Sequence, residues 1–187
     1  MVLCGCTGTA AHVGGGLQPT GPAHARLVAR AALDPCPTSV TGKVPHGLPN
    51  VTLNCLGDGP AVHLAGLRGL PTVINIWGSW CVPCQAETTY LSTVYDSLKG
   101  RVRFLGVDTE DDPDSALDFA PHVNPPMHYP SVLDPNKKVL VGLELQSAVP
   151  STVFVDASGR VVHFVTTAYR SAAALRTDIA HYLGVTS

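Results

Sequence analysis

Charged residues are scarce in this sequence. Asp, Glu, Lys and Arg make up 14% of its 187 residues, whereas a soluble globular domain has about 25%. The 12 basic and 14 acidic residues leave a net charge of −2, and the basic residues form no run, which argues against a nucleic-acid partner. No apolar stretch approaches the roughly 20 residues that span a membrane. A single globular domain with some length to spare is therefore the expected organisation.

Cysteine, in contrast, is abundant. Its six positions are Cys4, Cys6, Cys36, Cys55, Cys81 and Cys84. This number is high for a reduced cytosolic domain of this size and favours an oxidising compartment. Cys81 and Cys84 form a C-x-x-C motif. Cys36 and Cys55 flank a segment rich in Pro and Gly and are predicted to form a structural disulfide, with two free thiols as the alternative.

The N-terminal region, residues 1–43, is predicted to be a lipobox-like segment followed by a flexible linker. Leu-Cys-Gly-Cys at residues 3–6 resembles a bacterial lipobox, in which Cys6 would be lipidated. Only two residues precede this segment, so the basic and apolar regions of a signal peptide are missing, and a tail with two chance cysteines is the alternative. Residues 7–41 are rich in Gly, Ala, Pro and Thr, as linkers are, with one short helix expected at residues 26–33.

The folded domain is predicted to span residues 44–187. It should open with a hairpin of two short strands, near residues 48–53 and 61–64, joined by Gly-Asp-Gly-Pro turn chemistry. A near-continuous apolar strand at residues 72–77 is typical of a central strand covered on both faces. Later strands are expected at residues 102–107, 131–133, 152–155 and 160–165. Further helices should follow the C-x-x-C motif up to Gly100, begin at Asp112 and Ser171, and span residues 137–143.

The C-x-x-C motif lies between the strand at residues 72–77 and a helix. At a helix N-terminus the backbone N–H groups and the helix dipole favour a thiolate and lower the pKa of the first cysteine. We therefore expect Cys81 to be exposed and to attack a disulfide, and Cys84 to be buried and to resolve the mixed disulfide. Trp77 and Trp80 flank the motif and offer an apolar surface to a substrate.

Two other interpretations of the motif are weaker. Zinc normally needs a second ligand pair, and the widely separated Cys36 and Cys55 do not provide one, so no metal and no other cofactor is expected. An inert disulfide between Cys81 and Cys84 would close a loop so short that it adds little stability.

A wider segment around the motif carries a family resemblance. Ile-Asn-Ile-Trp-Gly-Ser-Trp-Cys-Val-Pro-Cys-Gln-Ala-Glu at residues 74–87 resembles the active-site segment of thioredoxin-like proteins. It is most similar to the extracytoplasmic TlpA/ResA-like branch, including its actinobacterial lipoproteins. The resemblance covers about residues 48–184 and implies an α/β thioredoxin-like fold. In that fold a central mixed β-sheet is flanked by helices, with an N-terminal β-hairpin extension and a βα insertion.

The resemblance also assigns roles to single residues. Pro150 matches the cis-proline that faces the C-x-x-C motif in the family, and Val149 before it would offer backbone groups to a substrate strand. Glu87 matches a glutamate below the active site that tunes thiol ionisation and accepts the proton of Cys84; a solvated first-turn residue is the alternative. Asn75 stands where thioredoxins carry a buried Asp, which shifts the proton role toward Glu87.

Two positions near the C-x-x-C motif depart from the family pattern. Thr89 replaces a proline that kinks the helix in many relatives, and Gln85 replaces a Lys or Arg that places a positive charge near the thiolate. These differences make the predicted active centre atypical. The acidic stretch at residues 108–114 is interpreted as a solvated surface.

The resemblance implies a thiol–disulfide oxidoreductase outside the cytoplasm, secreted or held at the membrane by a lipid anchor. Its expected partners are thiol and disulfide proteins, with apocytochrome c before haem attachment as an example, and a membrane electron donor or acceptor that recycles it. A reductant role is predicted. An oxidase of the same fold and a non-catalytic peptide-binding module are the alternatives, while a peroxidase of this fold typically uses a lone cysteine in another motif.

Overall fold

The computed structural model describes residues 20–145 and 148–186. The lipobox-like segment with Cys6 lies outside these residues, as does the first part of the predicted linker. Five α-helices occur in the described ranges: α1 (Pro22–Ala31), α2 (Val82–Leu98), α3 (Pro113–Phe119), α4 (Lys138–Gly142) and α5 (Ala172–Leu183), besides two short 3-10 helices, Leu64–Gly66 and Ala120–His122. The strands there are β1 (Thr52–Leu53), β2 (Val62–His63), β3 (Thr72–Trp77), β4 (Arg103–Thr109), β5 (Ser131–Asp134), β6 (Ser151–Val155) and β7 (Val161–Val165).

The strands form one mixed sheet and one small hairpin. The five-stranded sheet has the order β5-β4-β3-β6-β7, with β3, β4 and β5 parallel and β6 and β7 antiparallel to their neighbours. β1 and β2 pair as a separate two-stranded hairpin. The predicted fold class, a central mixed sheet flanked by helices with an N-terminal hairpin, is confirmed. Every side chain of β3 is buried, as its apolar sequence predicts for a central strand.

The core has two parts, one on each face of the sheet. On the α2 face, Val73, Phe104 and Phe154 of the sheet pack with residues of α2, α3 and α5. On the hairpin face, Ile74, Leu105 and other strand residues pack with the β1–β2 hairpin and α4. Neighbouring residues of a strand point to opposite faces, so β3 contributes to both cores. Burying each aliphatic side chain stabilises the fold by about 1.5–3 kcal/mol.

Capping residues set the helix boundaries much as the sequence predicts. Asp112 caps α3 by accepting a hydrogen bond from the backbone N–H of Ser115, and Ser171 caps α5 in the same way. Gly184 ends α5 in a left-handed conformation with φ of 68°, which glycine adopts without the steric cost that a Cβ brings.

The region expected to be a flexible linker differs from that expectation over residues 22–36. α1 begins at Pro22, four residues before the predicted start, and packs along α3. Leu27 and Val28 contact the core of the α2 face, in which Ala31 is buried. Apolar residues spaced three to four apart give even this Gly/Ala/Pro-rich segment one apolar stripe, and composition averaged over 35 residues conceals that stripe.

Candidate active site

The C-x-x-C motif is held at the junction of β3 and α2. β3 ends at Trp77, a three-residue loop follows, and Cys81 is the N-cap residue of α2. The Cys81 Sγ accepts a hydrogen bond from the backbone N–H of Cys84, at 3.2 Å. Pro83 lies in the first turn, where its missing N–H costs no helical hydrogen bond. The two cysteines are bonded as a disulfide, with their Cα atoms 5.2 Å apart.

The predicted exposure of Cys81 is wrong for this oxidised state. Cys81 is 4% exposed and Cys84 is 1% exposed, because the Cys81 side chain turns back over the first helical turn to meet the Cys84 sulfur. The exposed surface beside them is apolar, with Trp80 51% exposed and Val82 also exposed. Trp77 is buried in the core, so the prediction that it adds to this surface is wrong. A substrate would therefore meet an apolar rim before it meets the sulfur atoms.

Glu87 lies one turn beyond Cys84 on the same helix. Its side chain is 0% exposed, which rules out the alternative of a solvated first-turn residue. The Asn75 side-chain amide donates to Glu87 Oε1 at 2.8 Å, and the backbone N–H of Tyr169 donates to Oε2 at 2.9 Å. Burial raises the pKa of Glu87 to about 7, although both hydrogen bonds act in the opposite direction. The carboxyl group can therefore exchange a proton near neutral pH.

The hydrogen bond between Asn75 and Glu87 could not be predicted from the sequence. Asn75 points from β3 to the α2 face, where its amide fixes the orientation of the Glu87 carboxyl group. The resemblance identifies both residues, but not the bond between them. Their separation of twelve residues along the chain conceals a contact that only the packing of α2 on β3 creates.

The predicted cis-proline is present. The Val149–Pro150 peptide bond is cis, and β6 begins at the next residue. Ser151 pairs with Ile76 at the end of β3, so Pro150 and the loop that leads to Cys81 emerge at the same edge of the sheet. Val149 is half-buried and packs against both cores. The structure therefore brings Val149 and Pro150 to the edge that carries the C-x-x-C motif.

Hydrogen bonds hold the loop before Cys81 against the loop after β4. The backbone N–H and the hydroxyl of Ser79 both donate to the carboxylate of Asp111, the hydroxyl at 3.0 Å. The Trp80 indole N–H donates to the carbonyl of Thr109 at 3.3 Å. Gln85, from the first turn of α2, donates to the carbonyl of Ser79 at 2.6 Å. Asp111 is a site residue that the sequence prediction missed.

The acidic stretch at residues 108–114 is not uniformly solvated, and that prediction is wrong for its first two residues, Asp108 and Thr109, which are buried. Asp108, in β4, is 1% exposed, because it faces the α2 core from a central strand of the sheet. Burial, with a smaller contribution from the nearby charges of Asp111 and Asp112, raises the pKa of Asp108 to about 9. Neighbouring residues of a strand point to opposite faces, so Asp108 lies on the same face of β4 as the buried Phe104, four residues earlier. This alternation could have predicted the burial of Asp108 from the sequence.

The second cysteine pair lies away from the C-x-x-C motif. Cys36 and Cys55 are at disulfide distance, with Cα atoms 5.9 Å apart, as predicted. Both are buried. Their bond joins the segment after α1 to the segment after β1, where Cys55 forms an isolated bridge with Val132.

At Thr89, where many relatives have a proline, α2 continues without interruption from Val82 to Leu98. The neighbouring Thr88 donates its hydroxyl to the carbonyl of Cys84 at 2.8 Å. Among the residues described by the structure, no group of three or more His, Cys, Asp or Glu side chains is arranged to hold a metal ion. None of the helices in those residues has the length and apolar character to cross a membrane.

Three features together define the class of thioredoxin-like proteins. They are the strand order of the sheet, a C-x-x-C disulfide at the start of the helix after the central strand, and a cis-proline at the same edge of the sheet. Within that class the chain belongs to the Redoxin family, whose model matches residues 43–173.

Similar proteins are named as a thiol–disulfide oxidoreductase, ResA, and as thiol:disulfide interchange proteins, DsbE. ResA of Bacillus subtilis is 29% identical over 110 residues, which are 58% of this chain and 60% of ResA. A DsbE homologue of Paracoccus denitrificans is 35% identical over 91 residues, which are 49% of this chain and 48% of that protein. The matches therefore span about half to three fifths of these relatives.

Solved structures show the same fold. A secreted disulfide oxidoreductase of Mycobacterium tuberculosis, described as homologous to E. coli DsbE, has a TM-score of 0.61 and 27% identity. That comparison covers 71% of this chain and 96% of the other. A DsbF homologue of Corynebacterium diphtheriae has a TM-score of 0.63 and 26% identity over 77% of this chain and 91% of its own.

Proposed function

We propose that this protein is a thiol–disulfide oxidoreductase that acts on proteins outside the cytoplasm. The observation that carries the proposal is the Cys81–Cys84 disulfide at the N-terminus of α2, one turn from the buried carboxyl group of Glu87. A helix N-terminus stabilises a thiolate. The ResA and DsbE names of similar proteins support the same chemistry.

In the reducing direction the two cysteines act in turn. The Cys81 thiolate attacks a substrate disulfide, a mixed disulfide forms, and the first substrate sulfur leaves as a thiolate. Cys84 then loses its proton and attacks the Cys81 sulfur, which releases the second substrate thiolate and closes the Cys81–Cys84 disulfide. Two electrons have then passed to the substrate, and no cofactor takes part.

Glu87 is the proposed proton acceptor for Cys84. Its pKa of about 7, raised by burial, leaves a useful fraction of carboxylate at neutral pH. Asn75 and the backbone of Tyr169 hold this carboxyl group in place. Its neighbour on the helix, Cys84, is buried, so bulk water has little access to the thiol proton and an internal base is needed.

The proposed substrate-binding residues are Trp80, Val149 and Pro150, of which Pro150 is itself buried and Val149 is half-buried. Trp80 is an exposed apolar side chain beside Cys81, and stacking or apolar contact there would orient an extended peptide. Val149 precedes the cis-proline at the same edge of the sheet, where its backbone groups would pair with a substrate strand. Extended segments that carry cysteines are the substrate class that such a surface fits.

The proposed direction is reduction, with apocytochrome c before haem attachment as an example of a substrate and a membrane protein as the electron donor. An oxidase would use the same residues with electrons flowing in the opposite sense. The secreted M. tuberculosis neighbour supports a location outside the cytoplasm. The lipobox resemblance at residues 3–6 extends this proposal to a lipid anchor on Cys6, which would be the contact with the membrane.

Insulin reduction by dithiothreitol tests the activity. We expect the wild-type protein to accelerate the reaction and Cys81→Ser to lose that acceleration. A matched control is Cys36→Ser/Cys55→Ser, which also removes one disulfide but should remain active. If Cys81→Ser were as active as the wild type, the protein would be a peptide-binding module and the enzyme proposal would fail.

The redox potential of the Cys81–Cys84 couple tests the direction. Equilibration with glutathione or dithiothreitol buffers, read by alkylation of free thiols, gives this potential. A value near thioredoxin's, about −270 mV, would support the reductant, whereas a value near DsbA's, about −120 mV, would show an oxidant.

A further inference from the structure

Asp108 is a buried acid that the proposed mechanism does not use. It is 1% exposed, and neither of its carboxyl oxygens has a hydrogen-bond donor among the described residues. A buried carboxylate without donors or a positive partner is costly. The carboxyl group therefore keeps its proton in the folded protein, which turns it from an acceptor into a hydrogen-bond donor.

The acceptor that this proton meets is Asp111. The side chains of Asp108 and Asp111 lie within hydrogen-bonding reach of each other. Asp111 is half-exposed and already accepts from Ser79 N–H, Ser79 hydroxyl and the backbone N–H of Asp112. In all three contacts the Asp111 carboxyl oxygens are the acceptors. Two adjoining carboxyl groups do not both ionise cheaply, so the proton belongs to the buried Asp108.

Within the residues that the structure describes, the charges that act on Asp108 favour its protonated form. Its cross-strand neighbours, Trp77 in β3 and Leu133 in β5, are uncharged. The charges that act on it come from the β4–α3 loop, where Asp111 and Asp112 are both acidic and add to the effect of burial, so that its pKa is raised to about 9. The remaining acid of that loop, Glu110, is paired with Lys137 at 2.8 Å.

From this arrangement we propose that Asp108 is a positioning residue, whose protonated carboxyl group holds Asp111 in place and thereby holds the Ser79–Trp80 loop that leads to Cys81. When Asp108 loses its proton, two negative charges face each other below this loop. Repulsion then weakens the Asp111–Ser79 contacts and adds negative charge near the Cys81 thiolate. The consequence at Cys81 rests on the proposed function, whereas the titration of the acid pair does not.

The oxidised protein allows the titration to be measured without interference, because disulfide cysteines do not titrate. We expect the Asp108 carboxyl carbon, followed by ¹³C NMR, to titrate with a midpoint near 9. Tryptophan fluorescence should change over the same pH range, since Trp77 neighbours Asp108 and Trp80 lies in the held loop. A midpoint for Asp108 near 4 would overturn the proposal without any mutation.

The Asp108→Asn variant distinguishes a role of the Asp108 carboxyl group in positioning Asp111 from a role in packing alone. Asn has nearly the same shape and donates to Asp111 at every pH, so the alkaline fluorescence change should disappear while the protein stays folded. The control Asp96→Asn removes an exposed carboxylate from α2 and should leave the fluorescence change in place. If Asp108→Asn retains the change, another group causes it and the proposal is wrong.

Asp111→Asn serves as the second variant, and it remains informative if Asp108→Asn does not fold. Removing the Asp111 charge should move the Asp108 midpoint to lower pH, since that charge helps to raise it. If the Asp108 titration midpoint did not move in this variant, the proposed interaction between Asp108 and Asp111 would be wrong.

The effect of Asp108 on Cys81 is measured separately, as the rate at which iodoacetamide alkylates the reduced protein. The ratio of the Asp108→Asn rate to the wild-type rate should change by at least about twofold between pH 8 and 10, the size expected from a modest electrostatic shift of the thiol pKa. A constant ratio would overturn the positioning role. Because this measurement scores thiolate reactivity and not turnover, a failure of the proposed function would not be mistaken for a failure of the Asp108 inference.

Discussion

The two disulfides in the part of the chain that the structure describes have similar burial but different positions in the chain. Cys81 and Cys84 are three residues apart and begin α2, whereas Cys36 and Cys55 are 19 residues apart and join the N-terminal segment to the sheet. Closing a loop of about 20 residues removes much more entropy from the unfolded chain than closing a turn. The longer bond is therefore suited to stabilise the fold, and the shorter one to open and close.

Their surroundings point the same way. The short disulfide lies beside exposed apolar side chains, a helix N-terminus and a buried acid with a pKa near neutrality. The long one lies beside the backbone carbonyls of Ser131 and Asp58, at 3.3 and 3.0 Å from the sulfur atoms of Cys36 and Cys55. Among the described residues, no buried carboxyl group comparable to Glu87 has a recorded contact with this pair. Position within the fold, more than burial, therefore distinguishes the pair that we propose to be reactive from the pair that we propose to be structural.

The largest expected difference between the two pairs is in turnover. Cys84→Ser should still let Cys81 attack but leave no thiol to resolve the intermediate, so turnover should fall by more than about 100-fold. A mixed disulfide with a cysteine-containing peptide should accumulate. Mass spectrometry without reductant detects this adduct, and Cys55→Ser is the control that should form no comparable adduct at Cys36.

Stability should show the reverse pattern. Cys36→Ser/Cys55→Ser is expected to lower the free energy of unfolding by about 3 kcal/mol, from the loop-closure entropy of a loop of this length. Urea denaturation of the oxidised proteins measures the change, with Cys81→Ser/Cys84→Ser as the comparison that should lose clearly less. Equal losses would show that loop length does not distinguish the two bonds.

Glu87→Gln tests the acid that accompanies only the reactive pair. Because burial raises the pKa of Glu87 from 4.5 to about 7, the folded wild type binds more protons than the unfolded chain between these values. Its stability contribution is thus present below pH 4.5 and is lost as the pH rises through 7, by about 2–3 kcal/mol. Gln cannot titrate, so the variant should show a flatter stability profile in urea denaturation at pH 5 and pH 8.

The matched control for that experiment is Glu110→Gln, which replaces an exposed glutamate paired with Lys137. It should keep the pH dependence of the wild type. A Glu87→Gln profile that parallels the wild-type profile would mean that Glu87 does not titrate in this range, and the proposed proton transfer from Cys84 would lose its basis.

The smallest expected effect concerns the charge that relatives have after the second cysteine. Gln85→Lys places a positive charge in the first turn of α2 and should lower the pKa of the Cys81 thiol, so that alkylation at pH 7 becomes about two to three times faster. Gln85→Glu, the control of opposite sign, should slow it. If alkylation were slower in both variants, the hydrogen bond from Gln85 to the carbonyl of Ser79 would affect the reactivity of Cys81 more than the charge at this position does.

Much of the fold was predictable because its signals are local. The apolar run of β3, the capping residues Asp112 and Ser171 and the glycine at 184 mark element boundaries within a few residues of chain. The C-x-x-C motif and the cis-proline at 150 were predictable from a family resemblance, since their spacing and neighbours recur in thioredoxin-like proteins. These features depend little on what packs across the sheet.

Other features were not predictable because they arise from contacts between distant segments. α1 is short and weakly apolar, and only its packing along α3 distinguishes it from a linker. Asp108 belongs to an acidic stretch that looks solvated, until the sheet order places it between two strands. The exposure of Cys81 likewise depends on whether its side chain has closed onto Cys84.

The sequence by itself determined the strand, the helix start and the two cysteines between them, because β-branched residues, a cap and a proline act through neighbouring backbone. The tertiary structure alone decided which acids surround that motif and in which state they are held. Glu87 meets Asn75 only when α2 lies on β3, and Asp108 meets Asp111 only when β4 is enclosed. Burial and the proximity of other charges set their pKa values, and neither can be read from the spacing of residues along the chain.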